Sequence, residues 1–277
     1  MTIKNPLFLI GAQRSGTTIF SLLLAEHKDT FIAVNGKLLY YLITWLYPWS
    51  QPIINGHIRL DEVVHSLKRK RILGISESHL EKMYQVLETQ FNYQTYDTLE
   101  TPEIIAHIWV KTFRAISNGE PVIGEKYNEY LIQLDEIRQI FPRARYIFIY
   151  RHYLDTAESM FRVFRNRSWG PLNYENAIIK WARWNEQWLK FKRTNPNTPF
   201  FEVKYEDLVK SPTQLVTHVC DFLGLPTDDD YLEQVQKKIM VKQHHSGLAE
   251  KIDFNYIQER VPNFSKIIRQ LGYNSIE

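Results

Sequence analysis

Short, wholly apolar runs alternate along this chain with longer stretches in which apolar residues recur every three or four positions. The first run, PLFLI at 6–10, ends at Gly11 and is followed by a helix-compatible apolar segment from Thr17 to Ala25, so the residues between them join a strand to a helix. Helical spacing returns in Ile104, Ile105, Ile108, Trp109, Phe113 and Ile116, and again in Leu131, Leu134, Ile137 and Phe141. Between these two faces PVIG at 121–124 is strand-like. RYIFIY at 145–150 is a second strong strand, followed by a helix near Asp155, where Asp155 and Glu158 have the spacing of a capping box. Next come a Trp-rich helix (Ile178, Trp181, Trp184, Trp188, Phe191), a strand FFEVK from Phe200, a helix opened by Ser211 and Pro212 and closed by Gly224, and a terminal helix over 263–272. This alternation predicts an α/β fold with three layers, in which helices cover both faces of a central, mainly parallel sheet within one domain spanning 1–277.

Composition narrows the classes of function. With 44% hydrophobic and 23% charged residues the chain has enough apolar surface to fold. A net charge of only +3, with the basic run Lys68, Arg69, Lys70 and Arg71 set among acidic segments, argues against a nucleic-acid partner and for a local anion site. The one cysteine, Cys220, lies in an apolar helical pattern and reads as a core residue in a reducing compartment. No cleavable leader or membrane-length apolar segment is legible, so a cytoplasmic protein without an integral membrane segment is expected. LLYYLITWLYPW at 38–49 is dense in aromatics, but Pro48 interrupts it and it reads as core or pocket wall. His57, His65 and His79 with Glu77 and Glu81 lack metal-ligand spacing, and no metal is expected.

The candidate chemistry sits in GAQRSGTT at 11–18, between the first strand and the first helix. Gly11 and Gly16 keep the spacing of a phosphate-binding loop, which makes the expected fold one of the P-loop-containing, nucleotide-binding type. Its backbone amides, aimed at a helix N-terminus, form an anion cradle to which Arg14 adds a charge and Thr17 and Thr18 add hydroxyls. Thr17 stands where a nucleotide-hydrolysing loop carries lysine, so the parts for Mg²⁺-dependent γ-phosphoryl transfer are incomplete.

PLFLIGAQRSGTT resembles the 5′-phosphosulfate loop of sulfotransferases that use 3′-phosphoadenosine 5′-phosphosulfate, and YIFIYRHYLDTAESMFR resembles their 3′-phosphate motif, with Arg151 at a strand end and Ser159 in the following helix. An arginine and a serine hydroxyl converging there would clamp a phosphate that ATP lacks. GEKYNEY at 124–130 is similar to the family segment that contacts the transferring sulfuryl group, which implies that role for Lys126. FEVKYEDLVKSP is similar to another family segment and implies Tyr205 near the adenine or its ribose. The resemblance covers about residues 6–225. It implies a donor site of Arg14, Ser15, Gly16, Thr17, Thr18, Arg151, Ser159 and Tyr205, with Arg14, Lys126 and Glu125 as catalytic candidates.

The reaction so implied is in-line displacement at sulfur by a hydroxyl or amine, releasing adenosine 3′,5′-bisphosphate without a metal. The general base departs from the family pattern. Asn35 stands at the position of the glutamate of the tyrosylprotein branch, and Asn128 at that of the histidine of the cytosolic small-molecule branch. Glu125, His57, His65 and Glu129 remain as candidates, Glu125 first because it neighbours Lys126. His244 and His245 lie where the family carries a basic loop over the nucleotide, and Lys242 reads either as a contact to the 3′-phosphate or as part of a solvated loop. A P-loop small-molecule kinase and a non-catalytic sulfotransferase-like binding domain stand as alternatives, and glycan, lipid, polyketide, phenol and peptide acceptors stay open.

Overall fold

A computed structural model describes residues 5–46, 53–54, 57–58, 60–69, 72–91, 101–239 and 248–274. Its strands and helices run in the order β1 (Leu7–Ile10), α1 (Thr17–Ala25), β2 (Thr30–Val34), α2 (Leu38–Leu46), β3 (Ile53–Ile54), β4 (His57–Ile58), α3 (Asp61–Lys68), α4 (Glu77–Val86), α5 (Thr101–Ile116), β5 (Val122–Lys126), α6 (Leu134–Ile140) and β6 (Arg145–Tyr150). They continue with α7 (Tyr153–Phe164), α8 (Tyr174–Thr194), β7 (Phe200–Lys204), α9 (Tyr205–Lys210), α10 (Pro212–Leu223), α11 (Asp229–Lys238), α12 (Phe254–Arg260) and α13 (Phe264–Gln270). The main sheet has the order β2-β5-β1-β6-β7, and β3 pairs with β4 in a small antiparallel ribbon. β5 runs parallel to both β1 and β2, with Leu7 opposite Gly124 and Val34 opposite Lys126. Every residue of β1, β2 and β5 is buried, as expected of parallel strands covered on both faces, whereas edge strand β7 buries only Val203.

Two compact units divide the chain, Met1–Leu9 with Thr18–Tyr146 and Ile10–Thr17 with Ile147–Glu277. The first packs an aromatic core in which Phe8 meets Trp109, Tyr130, Phe141 and Tyr146, and Trp109 stacks on Phe113 with ring centroids 4.3 Å apart. Helix α2 buries Leu38, Leu39, Leu42, Ile43 and Leu46, so that face of the aromatic stretch is core, while Trp45 is exposed and 47–50 lie outside the described residues. In the second unit Phe148 stacks on Trp188 at 4.8 Å, and Trp181 meets Tyr153 and Phe264. The expected Trp ladder is core at Trp181 and Trp188, but Trp184 is only half-buried and lies under the Lys180 ammonium. Cys220 is buried in α10, and burial pushes its thiol up to about 11.

Two local expectations change. Helix α7 begins at Tyr153 after an N-terminal residue His152, and Asp155 forms an ion pair with Arg151 at 3.8 Å instead of capping. The Leu131–Phe141 helix breaks into a 3₁₀ turn over Asn128–Ile132 and α6, which starts at Leu134. Helix α10 matches its sequence signals, with Pro212 in the first turn and Gly224 left-handed at φ 71° as its C-terminal residue.

Gly124 sets how closely β5 can approach β1. A Cβ there would meet the Leu7 carbonyl oxygen at 2.6 Å and the Leu7 Cβ at 2.9 Å. Gly124→Ala is therefore expected to destabilise the chain by about 2 kcal/mol through overpacking, read as a lower urea midpoint at unchanged slope.

Candidate active site

The sequence-predicted site residues fall into two clusters, one in each unit, and the octet 11–18 contributes to both because the division falls between Thr17 and Thr18.

In the second unit the loop bends at Gly11 and Gly16, with φ of 155° and 90°. A Cβ on Gly11 would strike the Ile149 carbonyl oxygen at the end of β6, and one on Gly16 would strike the Tyr205 ring. The edge of the Tyr205 ring thus lies close against the loop, an approach that only glycine permits. Its other partner is Arg151, whose guanidinium carbon sits 4.5 Å from the ring centroid. Arg14 takes a left-handed φ of 71° and donates from Nε to the Ser159 hydroxyl at 3.1 Å, while its guanidinium faces the Phe164 ring. Its pKa is lowered from the ordinary arginine value by burial first, then by the charges of Arg162 and Arg151. These like charges act against that of Arg14, and an anion beside it relieves the cost. Ser15 is fully buried, and its hydroxyl has no hydrogen-bond partner among the described residues, as suits a loop that receives phosphate oxygens. Thr17 is buried at the start of α1.

Sequence reasoning missed two members of this cluster. Arg162 lies three residues beyond Ser159, on the same face of α7, and that spacing was the available signal. Glu206, beside Tyr205, accepts the His152 amide at 2.9 Å and the Tyr273 hydroxyl at 3.0 Å, tying the start of α7 to the C-terminal segment. Nothing in its local pattern distinguishes it from a surface carboxylate.

In the first unit Glu125 and Lys126, adjacent on β5, point to opposite faces of the strand as its alternation requires. Lys126 is 1% exposed, and its Nζ donates to Thr18 Oγ1 at 3.2 Å, Asn35 Oδ1 at 3.0 Å and Asn128 Oδ1 at 2.9 Å. Glu125 is 0% exposed. Its carboxyl accepts the Leu38 amide at 2.6 Å, the Leu39 amide at 3.2 Å and Trp109 Nε1 at 2.9 Å. Burial raises its pKa above the usual carboxylate value, and those hydrogen bonds pull the other way. Glu125 is therefore a cap on the N-terminus of α2, placed on the face of β5 opposite to the Lys126 ammonium.

The other residues singled out in the sequence, base candidates Glu129, His65 and His57 among them, are placed as follows. Glu129 hydrogen-bonds the Tyr127 hydroxyl, whose pKa burial raises far above the ordinary value. His65 lies beside Arg69, and His79 meets the N-terminal Ser76 of α4. His57 belongs to β4, and Lys242, His244 and His245 lie outside the described residues. Among the described residues no group of three or more His, Cys, Asp or Glu side chains could hold a metal, and no helix is long and apolar enough to cross a membrane.

Comparison with known proteins agrees with this geometry. The sulfotransferase domain of the Synechococcus PCC 7002 olefin synthase is 19% identical, with a TM-score of 0.65 over 99% of this chain and 97% of that one. The sulfotransferase domain of the curacin biosynthetic pathway is 18% identical, with a TM-score of 0.64 over the whole of both chains. A Caenorhabditis briggsae protein provisionally named protein-tyrosine sulfotransferase is 21% identical over 253 residues, covering 90% of this chain and 72% of its own length. The profile of the sulfotransferase family matches residues 6–229, through the loop, β5, the Arg151 strand end and Tyr205, and on that match the chain belongs to the sulfotransferase family.

Proposed function

We propose that this sulfotransferase takes its sulfuryl group from 3′-phosphoadenosine 5′-phosphosulfate and passes it to a hydroxyl or amine, with residues 1–277 acting as one catalytic domain in the cytoplasm. The observation that carries the donor assignment is Arg14, hydrogen-bonded to the Ser159 hydroxyl and under the like charges of Arg162 and Arg151, in a glycine-tight loop with a buried, unpartnered Ser15 hydroxyl. A single family profile running through both units supports one catalytic domain. The lone, buried Cys220 fits a reducing compartment.

When bound, the donor supplies an activated sulfonate: the acceptor oxygen or nitrogen bonds to sulfur as the bond to the 5′-phosphate oxygen breaks, releasing adenosine 3′,5′-bisphosphate. Ser15, Gly16, Thr17 and Thr18 present amides and hydroxyls for the 5′ end. Arg151 and Ser159 hold the 3′-phosphate in this reading, and the Tyr205 ring, its edge against Gly16 and the Arg151 guanidinium over it, stands beside the adenosine. Lys126 carries the positive charge on which the negative charge developing at the sulfonate and leaving oxygen can rest. Glu125 has no part in proton transfer in this reading; it holds the start of α2. The nematode relative's provisional name makes a tyrosyl phenol the first acceptor to try.

Metal-free calorimetric titration with adenosine 3′,5′-bisphosphate, beside ADP with and without Mg²⁺, tests the donor. Binding of the bisphosphate alone is expected, and preference for Mg²⁺-ADP would replace this reading with a kinase. Arg151→Ala should weaken bisphosphate binding by about 2 kcal/mol, roughly thirtyfold, and unchanged affinity would remove the clamp. Once an acceptor is in hand, Lys126→Ala should lower kcat by about a hundredfold while bisphosphate affinity changes by less than about threefold.

Glu125→Ala should cost about 3 kcal/mol of stability by orphaning the Leu38, Leu39 and Trp109 donors. A carboxyl whose folded pKa is raised contributes stability below the ordinary carboxylate range and loses it as pH rises through the raised value. The urea midpoint of the native chain should therefore carry a falling component with rising pH that Glu125→Ala lacks.

A further inference from the structure

Asn35 and Asn128 occupy the two positions at which the family resemblance places a general base, and both amides are committed to one ammonium. Their Oδ1 atoms accept from Lys126 Nζ at 3.0 and 2.9 Å, and the Thr18 hydroxyl accepts at 3.2 Å. These three acceptors are neutral. Such a set offsets the desolvation of a lysine that is 1% exposed without cancelling its charge, which a carboxylate in the same place would do.

The placement of Asn35 is enforced by its surroundings. Its backbone is left-handed at φ 60°, a conformation that asparagine tolerates better than most residues, and its amide donates to the Lys126 carbonyl at 2.9 Å. The next residue, Gly36, has no room for a Cβ because the Glu125 carboxyl lies against it, and the same carboxyl holds the amides of Leu38 and Leu39. Lys126 thus grips the turn after β2 from one face of β5 and Glu125 grips it from the other. On the far side Asn128, 9% exposed, opens the 3₁₀ turn that follows β5.

We propose that Asn35 and Asn128 are positioning residues that aim the Lys126 ammonium at the sulfonate of the donor without setting a negative charge beside it. This rests on the donor assignment above. A carboxylate at either position, although it would restore a base, would pair with Lys126 and repel the sulfonate.

The test compares Asn35→Asp, Asn128→Asp and Asn128→Ala with the native chain. Calorimetry with 3′-phosphoadenosine 5′-phosphosulfate and with adenosine 3′,5′-bisphosphate gives the ratio of the two affinities, and NMR of lysine-¹⁵N-labelled protein follows the Lys126 Nζ resonance without any nucleotide. Each Asp variant should move that resonance and weaken the phosphosulfate by about tenfold more than the bisphosphate. Asn128→Ala, which removes an aiming contact but introduces no charge, should move the resonance and weaken the phosphosulfate relative to the bisphosphate by less than the Asp variants do. An affinity ratio unchanged in both Asp variants, or an unmoved Lys126 resonance, would overturn the proposal. If an Asp variant fails to fold, the other Asp variant and Asn128→Ala decide by the same readouts. A native chain that binds neither nucleotide would overturn the donor assignment and with it the role toward the sulfonate, while the resonance would still show whether the two amides hold Lys126.

Discussion

The alternation of β5 is the constraint on which the first unit depends. Side chains on a strand point to opposite faces, so two adjacent ionisable residues with opposite charge preferences are buried there without meeting. The carboxyl of Glu125 reaches the first amides of α2 and the indole of Trp109, which joins the end of a helix to the aromatic core around Phe8. The ammonium of Lys126 reaches Thr18, two residues past Gly16. One strand therefore fixes a turn, a helix start and a cation, and its close approach to β1 requires the absent side chain of Gly124.

The second unit solves a different problem, that of keeping several arginines close together. Arg151 is held by the Tyr205 face and by Asp155, and Arg14 by Ser159 and the Phe164 ring. Aromatic faces and hydroxyls steady guanidinium groups while leaving most of their charge available, and Asp155 at 3.8 Å is a long partner. Both units share this use of weak or neutral partners around cations, which suits a family that handles a strongly anionic donor.

Much of this was legible in the sequence, and the reasons differ by element. The strand, loop and helix at 7–25 could be read because a continuous apolar run, a glycine pair and an apolar helix are each local signals, and β6 and α10 were readable for the same reason. Strand β2 escaped because TFIAV follows its helix with no turn residue that sets it apart, and its register appears only through pairing with β5. The start of α7 was misplaced because Asp155 has the chemistry of a cap, yet tertiary pairing with Arg151 claims it. Arg14, Lys126, Arg151, Ser159 and Tyr205 could be found from motifs. The partners of Lys126 could not, since Asn35 lies 91 residues away and sequence order carries no sign of which amide an ammonium meets. For Glu125 the strand alternation was legible, since adjacent residues on a strand face opposite sides, but its partners at Leu38, Leu39 and Trp109 were not.

The lone thiol of Cys220 has a use beyond packing. Buried in α10 and held mostly protonated by a pKa near 11, it is a poor nucleophile in the folded chain and an ordinary one once that helix opens. With no second cysteine in the sequence, the rate at which a thiol reagent labels the protein is a direct clock for the opening of this part of the fold, and no engineered probe is needed to read it.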